Sequence, residues 1–291
     1  MPLNVGIFSR DPIVRFEAAR AFDAAPSSWI VRLYDRAPED VDVVVFGSDV
    51  ACTEGIVFDP AHPDRVIDEV VHASESSRGC MVLVTSPSGG TGVTTVALHL
   101  ARALPGACMV DLDPAEGARY RLGLDDSALG CSTTDGASEV VDVALPVAAG
   151  FRVLLKASAL ERATRVESIM SLRTRYEHVV IDGPRGSLDE DLLDVVDTRV
   201  MVMAPTMPCV EMAGRMPIRD THDWAFVFNR SGPGGEITDR VLSQRLGHRI
   251  ACSLPCTPSL RDREDEAALL RKGWTRWERS MSRLAEGLRA R

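Results

Sequence analysis

Apolar runs of about six residues recur seven times from Cys80 onward, and this pattern limits the fold more than any other feature of the chain. The runs are CMVLVT (80–85), ACMVDL (107–112), FRVLLK (151–156), HVVIDG (178–183), RVMVMAP (199–205), WAFVFN (224–229) and RIACSL (249–254), with helix-forming stretches between them. A strand with one face in water alternates apolar and polar residues. A strand that is apolar at successive positions is buried on both faces, as in a mostly parallel sheet covered by helices. The pattern therefore predicts an α/β fold with a doubly wound, mostly parallel sheet. Residues 114–140 are rich in Gly, Asp, Ser and Thr, as expected of loops at the carboxyl edge of such a sheet, where ligands bind. A content of 45% apolar and 26% charged residues fits a folded globular chain.

The first run leads into VTSPSGGTGVTTVALHLARAL, which reads strand, glycine-rich turn, helix. Gly89, Gly90, Thr91, Gly92, Val93, Thr94 and Thr95 occupy the turn and the first helical positions. Glycines let backbone N–H groups converge on an anion, and the helix amino terminus adds its dipole. Phosphate oxygens can thus be held without side-chain charge, and the Thr94 hydroxyl stands where a phosphate loop ligates Mg²⁺. Only two of the 33 basic residues are lysines, Lys156 and Lys272, and neither lies in this loop.

The segment resembles the variant phosphate loop of the ParA/MinD superfamily of P-loop ATPases, which reads lysine-Gly-Gly-x-Gly-lysine-Thr-Thr. Both lysines are replaced, the first by Ser88 and the second by Val93. Losing one charge-assisted contact costs about 1.5–3 kcal/mol, on the order of 10- to 150-fold in affinity, so ATP binding is expected to be weakened rather than abolished. Hydrolysis is expected to be weak or absent, because phosphoryl transfer depends on electrostatic stabilisation of the transferred group. An arginine from elsewhere, or Lys156, is available as a substitute. The resemblance continues at Asp111-Leu112-Asp113-Pro114, where it implies that Asp113 orients the attacking water. At His178–Pro184 it implies that Asp182 reaches Mg²⁺, and at Asn229-Arg230 it implies a contact with the adenine base. The alternatives are strand-end carboxylates that cap the next helix, and ordinary turn chemistry for Asn229. A further alternative for the whole loop is a cradle kept for folding that binds nothing.

Residues 1–76 read as a separate small α/β unit, ahead of a phosphate-loop domain at 80–291. Strands are predicted at 3–8, 29–34, 41–46 and 55–58, and helices at 11–25 and 63–73, with the polar stretch HASESSRG (72–79) as the boundary. This unit is similar to a shortened response-regulator receiver. The acidic pair and the phosphate-accepting aspartate of that family are replaced by Ser9-Arg10-Asp11 and Gly47, which implies a docking or dimerisation module. A degenerate receiver ahead of an altered ParA/MinD domain is the arrangement of the CpaE/TadZ family of Tad/Flp pilus assembly and of related actinobacterial septum-site-determining proteins. That resemblance implies a spatial organiser acting as a homodimer with pilus, secretion or division machinery. The rivals are a MinD-like ATPase cycling on the membrane and a ParA-like DNA partition ATPase.

The net charge of -9 argues against whole-surface attraction to DNA or anionic lipid. Near the carboxyl terminus, Trp274, Trp277, Met281, Leu284 and Leu288 form a helical stripe, with Arg276, Arg279, Arg283 and Arg289 elsewhere on the helix. Residues 274–288 are therefore either the last core helix or a peripheral membrane contact at the inner face. No run reaches the roughly 18 residues of a membrane span, and the amino terminus lacks a basic flank ahead of an apolar stretch, so a cytoplasmic location is expected. Most of the seven cysteines sit among apolar neighbours, as buried free thiols do. His248, Cys252 and Cys256 supply three ligands without a fourth and make a poor zinc site.

Overall fold

The computed structural model describes residues 3–38, 41–51, 55–77, 79–125, 143–185, 190–216, 224–231, 237–257, 259, 262, 269–270 and 275–289. Its contacts divide the chain into two units, Met1–Arg78 and Gly79–Arg291.

In the first unit, β1 (Asn4–Phe8), β2 (Ile30–Tyr34), β3 (Val43–Phe46) and β4 (Ile56–Val57) form a parallel sheet in the order β2-β1-β3-β4. Helix α1 (Pro12–Ala21) begins at Asp11, whose carboxylate accepts from the Ile13 N–H at 2.8 Å, with Pro12 at the first helical position, where its missing N–H is harmless. Val5, Ile7, Val43, Val45 and Phe58 pack with Ala18 of α1 and with Val66 and Val70 of α2 (Arg65–Ser77). Helix α2 runs to Ser77, so most of the stretch expected to be a boundary is its last turns. Among the described residues, the connection from β2 to β3 contains no helix.

The second unit has an eight-stranded sheet in the order β12-β11-β10-β5-β9-β6-β8-β7. These strands are β5 (Cys80–Ser86), β6 (Ala107–Asp111), β7 (Leu145–Pro146), β8 (Arg152–Leu154), β9 (His178–Arg185), β10 (Thr198–Met203), β11 (Trp224–Ser231) and β12 (Ile250–Pro255). Every pairing is parallel except β7 with β8. All seven expected runs are strands, and the doubly wound parallel sheet is present. The two-residue edge strand β7 carries no apolar run of its own and left no sequence signal.

Both faces of the sheet are covered, and the strand period of two sorts side chains between them. Val82, Val84, Met109 and Val180 face α3 (Val93–Ala103), while Met81, Leu83, Cys108, Val110, Val179 and Ile181 pack with Ile169 and Leu172 of α5 (Arg162–Leu172). The latter cluster also takes Leu192 of α6 (Glu190–Val195). Helices α7 (Met207–Arg215) and α8 (Asp239–Leu246) cover Met201, Met203, Phe226 and Phe228. A short helix, α4 (Gly117–Leu122), lies in the stretch expected to be loop and is set off by left-handed residues at Glu116 and Gly123.

Of the two roles expected for 274–288, the final helix α9 (Thr275–Arg289) takes that of the last core helix. Trp277, Met281, Leu284 and Leu288 are 2–4% exposed and belong to the core cluster that α3 and Leu254 of β12 help to form. The Trp277 ring lies 4.4 Å from that of His99, and Arg102 of α3 pairs with Glu278 at 3.1 Å. With its apolar stripe buried, α9 presents Arg276, Arg279, Arg283 and Arg289 to solvent. Trp274 lies outside the described residues.

Candidate functional site

The phosphate loop spans 87–92 between β5 and α3, at the carboxyl edge of the central strand. Pro87 breaks the strand, and the Ser86 side chain closes the first turn by accepting from the Ser88 N–H at 3.0 Å and donating to the Ser88 carbonyl. Gly90 and Gly92 have φ of 75° and 93°, a region that L side chains avoid. A Cβ on Gly90 would meet nothing within 4 Å, whereas one on Gly92 would lie 2.4 Å from Asn229 Nδ2. Helix α3 begins directly at Val93, so its first-turn N–H groups have no helical acceptor.

Asn229 holds the loop from below. Its buried amide donates to the Thr91 carbonyl at 2.7 Å, and its Oδ1 accepts from the Arg230 N–H at 2.9 Å. Both ends of the amide are thus engaged by backbone, a tie between β11 and the loop that neither sequence reading of Asn229 contained. The pair lies within β11 rather than after it, and Arg230 takes a left-handed φ of 61° where the register with β12 shifts.

Three carboxylates gather beside the loop. Asp111 and Asp182 are register partners on the adjacent strands β6 and β9, and both are buried. Asp111 Oδ1 accepts from the Asp113 N–H at 2.9 Å, and Asp113 Oδ1 accepts from the Ala115 N–H at 3.0 Å. Thr94 hydrogen-bonds the Asp182 carboxylate. Burial pushes Asp111 up to about 6, against its Asp113 hydrogen bond. Asp182 is raised well above the ordinary carboxylate range, first by burial and then by repulsion from Asp111. Asp111 Oδ2, Asp182 Oδ2 and Thr91 Oγ1 are buried without a hydrogen-bond partner.

Helix α4 closes this side. The space beside Gly117 brings Arg121 Nη1, Asp113 Oδ2 and Thr94 Oγ1 to within 2.9, 3.3 and 3.4 Å of one point, where a Cβ would stand. Arg121 donates to the Gly117 carbonyl at 2.9 Å, and Arg119 pairs with Glu116 at 2.8 Å. Arg121 was not singled out from sequence, because nothing local ties it to the loop. Val93, at the second lysine position, is 9% exposed and belongs to the main core cluster. Lys156, the other candidate cation, follows β8 and is partly exposed.

The residues fit a phosphate and a divalent cation. A hydroxyl bonded to a buried carboxylate, with a further carboxylate oxygen unpartnered, is a hard oxygen donor set of the kind Mg²⁺ takes. The loop adds a turn with open space at Gly90. Among the described residues there is no group of three or more His, Cys, Asp or Glu able to hold a metal by protein ligands alone. His248 stacks on Phe226 at 5.1 Å instead of joining Cys252.

In the first unit, the residues at the receiver-like positions satisfy one another. Asp49 accepts from Ser9 Oγ at 2.6 Å and from the Arg10 and Asp11 N–H groups at 2.8 and 3.0 Å. A Cβ on Gly47 would lie 2.4 Å from Asp49 Oδ1 and 2.6 Å from Ser9 Cβ, so no aspartate fits there unless these neighbours move.

A parallel sheet with this strand order, a glycine-rich phosphate loop after its central strand and carboxylates at the ends of β6 and β9 define a P-loop α/β fold of the MinD/ParA type. Among solved structures, the chain is similar to MinD in the MinC:MinD cell division complex of Aquifex aeolicus, with a TM-score of 0.63 and 16% identity over 73% of this chain and 97% of that one. It is also similar to the septum site-determining protein MinD of Pyrococcus horikoshii in complex with Mg-ADP, with a TM-score of 0.58 and 20% identity over 72% and 96%. A ParA family ATPase of Chlorobium tepidum gives a TM-score of 0.58 and 13% identity over 72% and 98%. At these identities the likeness is one of fold. No family model matches the chain, and no curated protein matches it in sequence.

Proposed function

We propose that this chain is a spatial organiser of the ParA/MinD superfamily, of the CpaE/TadZ kind, whose phosphate loop holds Mg-ATP as a structural ligand and turns it over slowly or not at all. The observation that carries the reading is the pairing of an open glycine cradle with the Thr94–Asp182 donor pair, in a loop that has Ser88 and Val93 in place of lysines. Backbone N–H groups of 89–95 would hold the phosphates, and Thr94 and Asp182 would hold the cation. Bound Mg²⁺ supplies positive charge at the terminal phosphates. Asp113 orients water, but with both loop lysines absent the loop itself brings no side-chain charge to the transferred group, so the charge that builds up in phosphoryl transfer is less well stabilised and occupancy outlasts chemistry.

The likeness in fold to MinD, as found with MinC and with Mg-ADP, favours a protein that positions others through a nucleotide-bound surface. The first unit serves as a docking module, a degenerate receiver whose phosphoacceptor position is filled by the Asp49–Ser9 contact. The chain works as a homodimer with pilus, secretion or division machinery at the inner membrane, rather than on DNA. A membrane-cycling ATPase is the weaker reading, because the stripe that would insert is core.

Calorimetry with ATP and Mg²⁺ tests the site, with Gly92→Val as the loop-blocking control. Saturable heat that the control loses is the expected result, and no binding by calorimetry or by competition overturns the reading. Loss of surface pili on gene deletion with normally placed septa supports the pilus assignment; misplaced septa with normal pili assign the chain to division.

A further inference from the structure

We infer that Arg121 replaces the missing loop lysine and is the side-chain cation that meets the terminal phosphates of the bound nucleotide. This rests on the nucleotide reading above and adds to it a residue that the phosphate-loop pattern does not contain.

The placement comes from α4. Arg121 Nη1, the Thr94 hydroxyl and Asp113 Oδ2 converge on the space beside Gly117, so the guanidinium already stands at the cation and phosphate end of the loop. It is held there by its 2.9 Å bond to the Gly117 carbonyl. A Cβ at Gly117 would stand 2.9 Å from Arg121 Nη1, so a larger residue there would push the guanidinium aside. Helix α4 is itself anchored by the buried Ala118 and by the Arg119–Glu116 pair, so the arginine projects from a fixed element and not from a loop tip. A guanidinium carries five N–H donors in a planar fork and can serve the carbonyl and an anion together. The charge also acts on the carboxylates, as Arg121 offsets part of the upward push on Asp182. An anion entering between Asp113, Asp111 and Asp182 meets three acidic groups and needs such an offset. Of the replacements that the sequence offered, Lys156 follows β8, which β9 and β6 separate from the strand carrying the loop.

The test measures Kd for Mg-ATP, Mg-ADP and AMP on the full chain and on Arg121→Gln, Arg121→Lys and Lys156→Ala, with circular dichroism melts as the folding control. Arg121→Gln should weaken Mg-ATP by about 10- to 150-fold, as expected for one charge-assisted contact, weaken ADP less and leave AMP within about 2-fold. Arg121→Lys should recover most of the ATP affinity, and Lys156→Ala should leave it unchanged. Wild-type binding that Arg121→Gln leaves intact, that falls equally for all three nucleotides, or that falls with Lys156→Ala instead overturns the role of Arg121 while the nucleotide reading stands. No binding by the wild-type chain overturns both.

Discussion

Gly90 and Gly92 share a left-handed backbone but differ in what lies beside them, and this separates strain from steric exclusion. At either position an alanine takes on the cost of a positive φ, about 1–2 kcal/mol. At Gly90 that is the whole cost, because a Cβ meets nothing within 4 Å. At Gly92 the Cβ would stand 2.4 Å from Asn229 Nδ2, so the buried amide must leave the Thr91 carbonyl it holds at 2.7 Å. Breaking that bond in a buried setting adds about 1–3 kcal/mol, for a total of about 2–5 kcal/mol. Gly92→Ala should therefore cost about 2 kcal/mol more than Gly90→Ala. The assay is urea unfolding followed by tryptophan fluorescence in a Trp29→Phe background, which leaves only tryptophans of the second unit. In an Asn229→Ala background the clash is gone, and the added cost of Gly92→Ala should fall to that of Gly90→Ala. Equal costs for the two glycines, or a Gly92→Ala penalty that persists without Asn229, would refute the argument.

Asp111 makes the ligand-free protein pH-sensitive: its folded value of about 6 exceeds the ordinary 3.8, so its stabilising proton is fully present below about 4 and lost as pH rises through about 6. Asp111→Asn keeps the acceptor for the Asp113 N–H and should stabilise the ligand-free protein at pH 8 by at most about 3 kcal/mol, with little gain at pH 4, as denaturant midpoints at the two pH values will show. Asp49 has the opposite sign: the hydrogen bond from Ser9 holds it below 3.8, so its contribution is present above the ordinary value and lost as acid is added. A carboxylate chemical-shift titration should place its midpoint below that of a free aspartate, and Ser9→Ala should move it upward. Trp277→Ala should cost about 3–5 kcal/mol by removing a buried ring between α3 and α9, whereas Arg279→Ala on the exposed face should stay within about 0.5 kcal/mol in the same unfolding assay.

Elements that bury a continuous apolar face were legible in the sequence, and those held by distant partners were not. The seven runs became seven strands because a doubly covered parallel sheet makes successive positions along each strand apolar. The α9 stripe was equally visible, but periodicity alone does not say whether such a face meets a sheet or a bilayer; the packing of Trp277 against His99 decides it. Helix α4 is short and begins with glycine, and the last turns of α2 are polar, so neither produces a periodic signal. At the site, the loop and the ends of β6 and β9 are local motifs and could be read directly. The Asn229–Thr91 tie joins residues 138 apart, and the meeting of Arg121 with Thr94 depends on how α4 folds back beside α3. The pairing of Asp111 with Asp182 follows from strand register, which sequence does not fix between non-consecutive strands.

The charges of the site bear on whether the loop survives only for folding. The position of the second lysine has become a core residue, since Val93 packs with the apolar cluster beneath the loop and adds to stability. The carboxylates have not changed in the same direction. Asp111 and Asp182 remain buried, with one oxygen each lacking a partner, and their raised proton affinities show that the folded chain resists their ionisation. An asparagine or apolar residue at either position would relieve that cost, so packing does not account for both. Local rules broken at a cost to stability concentrate where a ligand binds. A bound cation would remove the cost at Asp111 and Asp182, whereas an anion alone would increase it. On the proposed reading, the site therefore favours a phosphate that arrives with its metal, and its affinity for nucleotide should fall when Mg²⁺ is withheld, as calorimetry with and without the cation will show.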